Sequence, residues 1–216
     1  MSETVSENIP ATSYEEVIFQ EDFNVFCGNF PANWEILATS SDSVDAFVRA
    51  GNCFRMISPG NMFMPLTDPI RDGRIEFTLK AVGFDPQCNY GFHANFRQDI
   101  VRRTAHSIRF FNRPDSGKLL ITYGTYADNF FRAVESRSID VPREALKENF
   151  HIAVEFAGDQ ALAFFNEESV SFTRVGGCSG QISINRLNFF DSLELSKFRI
   201  LGKEEKQILH RGKYCI

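Results

Sequence analysis

The sequence predicts an all-β protein, a sandwich of two antiparallel sheets. Three observations lead there. Apolar residues alternate with polar ones over many short runs, the period of a strand with one buried face. Turn signals recur about every ten residues, and no long amphipathic helical pattern interrupts them. Phenylalanine is heavily used, 23 residues in a chain of 216 against one Trp and five Tyr, which suits a core between two sheets.

The segments follow in order. Residues 1–14 are polar, carry Pro10 and read as an N-terminal tail. The sandwich domain is predicted over 15–202. Val17 to Phe19 opens it, and Trp34 and Ile36 alternate with Glu35 and Leu37. Runs at 44–49 and 53–57 flank Gly51-Asn52, a hairpin turn, and 62–66 follows Pro59-Gly60. At 73–82, Ile75, Phe77 and Leu79 alternate with Arg74, Glu76, Thr78 and Lys80. Phe92, Ala94 and Phe96 then share one face of a strand, leaving His93, Asn95 and Arg97 on the other. Strands at 106–112, 119–125 and 131–139 continue the pattern, and 142–146 has room for one helical turn. The runs 150–156 and 161–165 enclose Ala157-Gly158-Asp159-Gln160, a hairpin signal. Strands at 169–175, 180–187 and 193–201 complete the domain. Residues 203–216 change character and read as a C-terminal tail or the start of a further domain.

Charge and cysteine content narrow the function classes. The net charge is −5, which argues against a general nucleic-acid binder, and neither a recognition helix nor an RNP-type string is present. The charge is uneven. Residues 1–22 hold six acids and no Lys or Arg, whereas residues 91–143 hold nine basic residues and five acids. The five cysteines are odd in number and lack C-x-x-C spacing, so reduced, mostly buried thiols are expected rather than a zinc site or a redox pair. No apolar run approaches the ~18 residues of a membrane span, and no secretory leader pattern opens the chain. A cytoplasmic location fits the sequence as it stands, and an extracellular one fits if a leader has been removed.

Three stretches together resemble the concanavalin A-like lectin/glucanase superfamily, the jelly-roll group that includes laminin G-like domains. Glu21-Asp22-Phe23 with the later Trp34 resembles an E-D-F … W opening. Asn149 to Asn166 is similar to a central hairpin in which an H-x-h-x-h strand turns through glycine and returns to an asparagine. Gly180-Gln181-Ile182 onward to Phe190, Asp191 and Leu195 is similar to the closing strands. The likeness spans residues 17–201. It implies a curved jelly roll whose concave sheet binds glycans or hydrolyses them, or an accessory module beside a glycosidase domain. It also implies a structural calcium on the convex side, for which Asp191 is the candidate ligand. No cofactor is required.

Hydrolysis needs two carboxylates flanking the glycosidic bond. Catalytic members of the superfamily often carry E-x-D-x-x-E on one strand, and this sequence has no such string. Glu21-Asp22 and Glu167-Glu168 are adjacent pairs whose side chains point to opposite faces. No G-x-S-x-G is present, and Gly176 to Gly180 reads as a turn rather than a phosphate loop. For binding, the candidates are His93, Asn95, Arg97, Arg109, Phe111, Arg113, Tyr123 and Tyr126, a set of planar donors and aromatic rings. The arginines favour acidic glycans. Phe130-Phe131 reads as an aromatic loop tip. The leading expectation is a non-catalytic carbohydrate-binding or accessory domain using its concave sheet face, with a glycan and an adjacent catalytic domain as partners. A glycoside hydrolase with an atypical carboxylate pair and a structural docking module are the alternatives.

Overall fold

The computed structural model describes residues 14, 16–27, 30–37, 47–57, 62–82, 91–113, 117–127, 130–141, 145, 147–186 and 193–204. In chain order the strands are β1 (Val17–Glu21), β2 (Phe26–Cys27), β3 (Phe30–Pro31), β4 (Trp34–Leu37), β5 (Phe47–Arg49), β6 (Phe54–Met56), β7 (Met62–Pro65), β8 (Ile70–Ala81) and β9 (Gly91–Asp99). They continue as β10 (Thr104–Arg113), β11 (Lys118–Ala127), β12 (Phe130–Asp140), β13 (Phe150–Ala157), β14 (Gln160–Phe165), β15 (Glu168–Thr173), β16 (Gln181–Arg186) and β17 (Leu193–Glu204). All pairings are antiparallel. One sheet has eight strands in the order β15-β14-β13-β8-β17-β6-β5, with β1 also paired to β17; the other has seven, β12-β11-β10-β9-β16-β7-β4. The short β2–β3 hairpin was not expected from the sequence. The last strand runs two residues past 202, to Glu204.

Period-two alternation builds the core. Ile75, Phe77 and Leu79 of β8 face Phe92, Ala94 and Phe96 of β9, all buried. The shortest aromatic contacts between the sheets are Phe96–Phe156 at 4.6 Å, Phe77–Phe92 at 4.7 Å, Trp34–Phe198 at 4.8 Å and Phe54–Phe63 at 5.0 Å among the described residues. Stacked, tilted and edge-on pairs of this kind add about 0.5–1.5 kcal/mol each beyond area burial. Phe198 also touches Phe19 and Phe77, so it joins both sheets to the first strand. Phe198→Ala is expected to cost about 3–5 kcal/mol, read as a lowered urea midpoint with unchanged slope.

The sequence motifs have local causes. Glu21 is buried and its carboxylate accepts the backbone N–H of Phe23 at 2.7 Å, which holds Phe23 at φ 55° and turns its ring into the core. Burial pushes the Glu21 carboxyl up in pKa, against that hydrogen bond. In the β13–β14 hairpin, Asn166 closes the open end. Its N–H donates to the His151 carbonyl at 2.8 Å and its Oδ1 accepts the His151 N–H at 2.9 Å. Asn166 sits at φ 52°, a conformation that asparagine tolerates better than most residues. The expected buried thiols are a correction: Cys27 and Cys178 are exposed, because they lie on the short hairpin and in the 174–180 connection rather than on core positions. Cys88 and Cys215 lie outside the described residues.

Candidate functional site

The outer face of the seven-stranded sheet collects most of the polar candidates. On β9, His93 and Asn95 point away from the inter-sheet core; their partners across the register are Ser107 and Arg109 on β10 and Ser183 and Asn185 on β16. His93 and Asn95 are fully buried although they lie on the outer side of the sheet. Packed polar groups cover them. His93 Nδ1 lies 2.9 Å from Ser107 Oγ, and Arg109 Nε donates to His93 Nε2 at 3.2 Å. Arginine can only donate, so Nε2 is the acceptor and the ring proton sits on Nδ1, directed at the serine hydroxyl. The Tyr126 hydroxyl lies 3.2 Å from the same Nδ1. Burial, and then the Arg109 charge, lower the His93 pKa well below its ordinary value, so the ring is neutral.

Next to this, Asn95 Nδ2 donates to Ser183 Oγ and to Asn185 Oδ1, each at 3.0 Å. Ser183 donates onward to Gln98 Oε1 at 2.6 Å. Asn95 Oδ1 is buried and has no hydrogen-bond partner, so an acceptor is left at the middle of the face.

Arg109 is half-buried and makes no ion pair with a carboxylate among the described residues. Its guanidinium lies over the Phe131 ring, 4.2 Å from the centroid, and burial lowers its pKa while leaving it a cation. Phe131 also meets His93 edge-on at 5.1 Å and packs beside Tyr126 at 5.3 Å. The ring reaches this position because β11 carries a glycine there. A Cβ on Gly124 would stand 2.5 Å from the Phe131 ring and 2.5 Å from the Arg132 carbonyl. Phe111 lies half-buried on the same face, opposite Leu120 and Gly91.

Two of the eight sequence candidates are corrected by their placement. Arg97 does not join His93 and Asn95. The β9 pairings slip on both sides of it, a β-bulge that puts it at φ 51° and hands its place on the outer face to Gln98. Arg97 is instead 2% exposed at the end of the sandwich. There it donates to the Arg71 carbonyl at 2.9 Å, the Val175 carbonyl at 3.3 Å and the Gly176 carbonyl, and pairs with Asp72 at 3.1 Å. Gly180 permits the bulge, since a Cβ on it would fall 2.3 Å from the Arg97 carbonyl carbon. Tyr123 is the second correction. It shares the face of Ile121 on β11, which is the core face, and its hydroxyl meets His106 Nδ1 at 2.8 Å between the sheets. Arg113 ends β10, and its side chain lies outside the described residues. So does Asp191, the candidate calcium ligand; among the described residues no three His, Cys, Asp or Glu side chains come together as a metal site.

The aromatic tip divides in two. Phe130 is 80% exposed, whereas Phe131 turns in over His93. The sequence reading missed Gln98, Ser107, Ser183 and Asn185. For the last three the signal was present, since Ile108, Ile182 and Ile184 are the core partners with which they alternate.

Acids are missing from the middle of this face. On β7, β16, β9, β10 and β11 no described outward position is Asp or Glu. Glu35 on β4 and Asp140 on β12 sit on the two outermost strands. Six strand spacings separate them, about 29 Å.

No family model matches the sequence, and no curated protein sequence matches it. Solved structures do match in shape. A carbohydrate-binding module (CBM66) from Bacillus subtilis superposes with a TM-score of 0.59 at 9% identity, over 79% of this chain and 96% of that one. The Bacillus licheniformis β-glucanase gives 0.61 at 11% identity, over 86% and 98%. The catalytic domain of an endo-1,3-β-glucanase (laminarinase) from Thermotoga petrophila RKU-1 gives 0.61 at 7% identity, over 88% and 98%. This chain has the concanavalin A-like jelly-roll fold. The jelly roll is shared here by binding modules and by hydrolases, so fold alone does not choose between them.

Proposed function

We propose that the chain is a non-catalytic carbohydrate-binding domain that takes its glycan on the outer face of the seven-stranded sheet. The observation that carries the reading is Arg109. A half-buried guanidinium without a carboxylate partner is costly to maintain. It becomes useful if its free terminal N–H groups serve hydroxyl or carboxylate oxygens of a ligand. Phe131 and Tyr126 flank it with rings, and neutral His93 fixes its Nε. Glycosidases place their carboxyl groups about 5–5.5 Å or 6.5–9.5 Å apart, and the outward acids at the two edges of this face are several times too far apart to act together.

The likeness in shape to a carbohydrate-binding module and to glucanases is consistent with a saccharide ligand. The cationic centre favours uronic-acid glycans over neutral ones. A glycan array on the purified chain, with neutral, uronic-acid and phosphorylated glycans, tests this. Arg109→Ala is expected to weaken the hits about tenfold, the value of one charge-assisted hydrogen bond. Hits that are indifferent to Arg109→Ala would place the ligand elsewhere, and a silent array would remove the reading.

A further inference from the structure

The opposite face of the sandwich holds a groove of its own. It lies on the outer side of the eight-stranded sheet, has a volume of about 440 Å³ and runs across β14, β13, β8, β17 and the end of β1. That volume falls within the range of small-molecule sites, about 300–1,000 Å³.

The register explains its shape. Ala153 pairs with Phe164 on one side and Glu76 on the other, so a methyl group forms the floor between larger neighbours. The next row runs His151, Thr78, Lys197 across three strands, with Asn166 at its end beside His151. Neighbouring members of such a row stand about 4.8 Å apart. It presents hydrogen-bonding groups in a line. His151 Nδ1 is bonded to Thr78 Oγ1 at 2.9 Å, which leaves Nε2 for the groove.

The charges are arranged asymmetrically. Glu76 is held by both Arg74 and Arg199: Arg74 Nε donates to it at 2.7 Å and Arg199 Nε at 3.0 Å. Burial works to raise the Glu76 carboxyl, and the two arginines outweigh it and hold the group below its usual pKa. Its charge is thus locally answered. Lys197 is different. It is exposed, lines the groove and makes no ion pair among the described residues. Asp22, across β17 at the end of β1, takes a hydrogen bond from Gln20 at 3.1 Å.

We propose that this groove is a second saccharide site, for an anionic sugar whose carboxylate or phosphate meets Lys197 while its hydroxyls meet His151, Thr78 and Asn166. The proposal goes beyond the seven-stranded face and does not depend on it, since the two surfaces lie on opposite sides of the core. A bivalent domain of this kind gains avidity on a polymer without new contacts at either site.

Amide chemical-shift titration with glucose, glucuronate and glucose 6-phosphate, carried into the millimolar range, tests it. Glucuronate or glucose 6-phosphate is expected to shift the amides of Thr78, His151, Asn166 and Lys197, and glucose to shift them more weakly. Which of the two anions binds better identifies the anionic group. Lys197→Ala is expected to weaken binding about tenfold, and Asp22→Asn to tighten it by removing a neighbouring negative charge. Both positions are exposed, so neither variant threatens folding. Equal response to glucose and to the anions, or no effect of Lys197→Ala, overturns the proposal. Shifts confined to Arg109, Tyr126 and Phe131 overturn it and leave the first site standing; shifts confined to the groove sustain it and remove the first.

Discussion

Replacing Arg97 with alanine is expected to lower the unfolding free energy by about 3 kcal/mol or more, although the sequence presents this residue as a surface ligand. The guanidinium serves several groups at the end of the sandwich. It ties β9 to the start of β8 through the Arg71 carbonyl and Asp72, and to the 174–180 connection through Val175 and Gly176. It also stacks over Phe156, 5.5 Å from the ring centroid. Each buried carbonyl left without a donor costs about 1–3 kcal/mol, and the lost packing adds to that. Urea unfolding monitored by the single Trp34 measures the change. Arg97→Lys keeps the charge but not the fork and is expected to recover less than half of the loss. A loss under about 1 kcal/mol for Arg97→Ala would mean that the bulge is held by something other than the guanidinium.

Stability is expected to fall as the solution is acidified below about pH 6.5, with His93 as a principal cause. His93 is fully buried, and its folded pKa is well below 6.5, the value it regains on unfolding. Between those two values the unfolded chain binds a proton that the folded chain refuses. The stabilisation is therefore complete above pH 6.5 and lost as the pH drops toward the folded pKa, at about 1.4 kcal/mol per pH unit. His106 works in the same direction, its pKa lowered by burial and by the Arg97 charge. Glu76 acts lower on the scale. Its folded pKa is depressed below the carboxylate value, so its contribution is present above about pH 4.5 and lost on further acidification. Unfolding curves for the wild type and His93→Gln at about pH 8 and pH 5.5 separate these. The variant is expected to show the shallower pH dependence, and identical slopes would contradict the assignment to His93.

The sandwich was legible because strand alternation is a strictly local signal. Residues 73–82 and 91–96 alternate so cleanly that the core faces of β8 and β9 follow from parity alone. Parity fails where an extra residue enters a strand. At Arg97 the β9 bulge inverts the phase, so Gln98 takes the outer face and the arginine becomes structural. Tyr123 misled for a different reason. A tyrosine flanked by Thr122 and Gly124 reads as surface, yet its phase matches Ile121, and His106 satisfies its hydroxyl within the core. Arg109 and Tyr126 lie where their parity puts them. What the sequence did not carry was the depth of the cluster. The fold-over of Phe131 depends on Gly124 across the β11–β12 pairing, a contact between strands that no local pattern encodes. The groove around Ala153 is likewise a product of register, since its walls come from five strands scattered between residues 20 and 199.

The central claim is that this jelly roll holds a glycan without cleaving it. The most direct measurement is to incubate the purified chain for an extended period with an oligosaccharide that binds it, and then to analyse the recovered sugar for chain length and new reducing ends. The account expects retention of the full-length oligosaccharide, weakened about tenfold by Arg109→Ala, with no shortened products. Products that accumulate in proportion to the protein, and vanish when an acidic residue of this chain is replaced, would contradict it and identify a hydrolase.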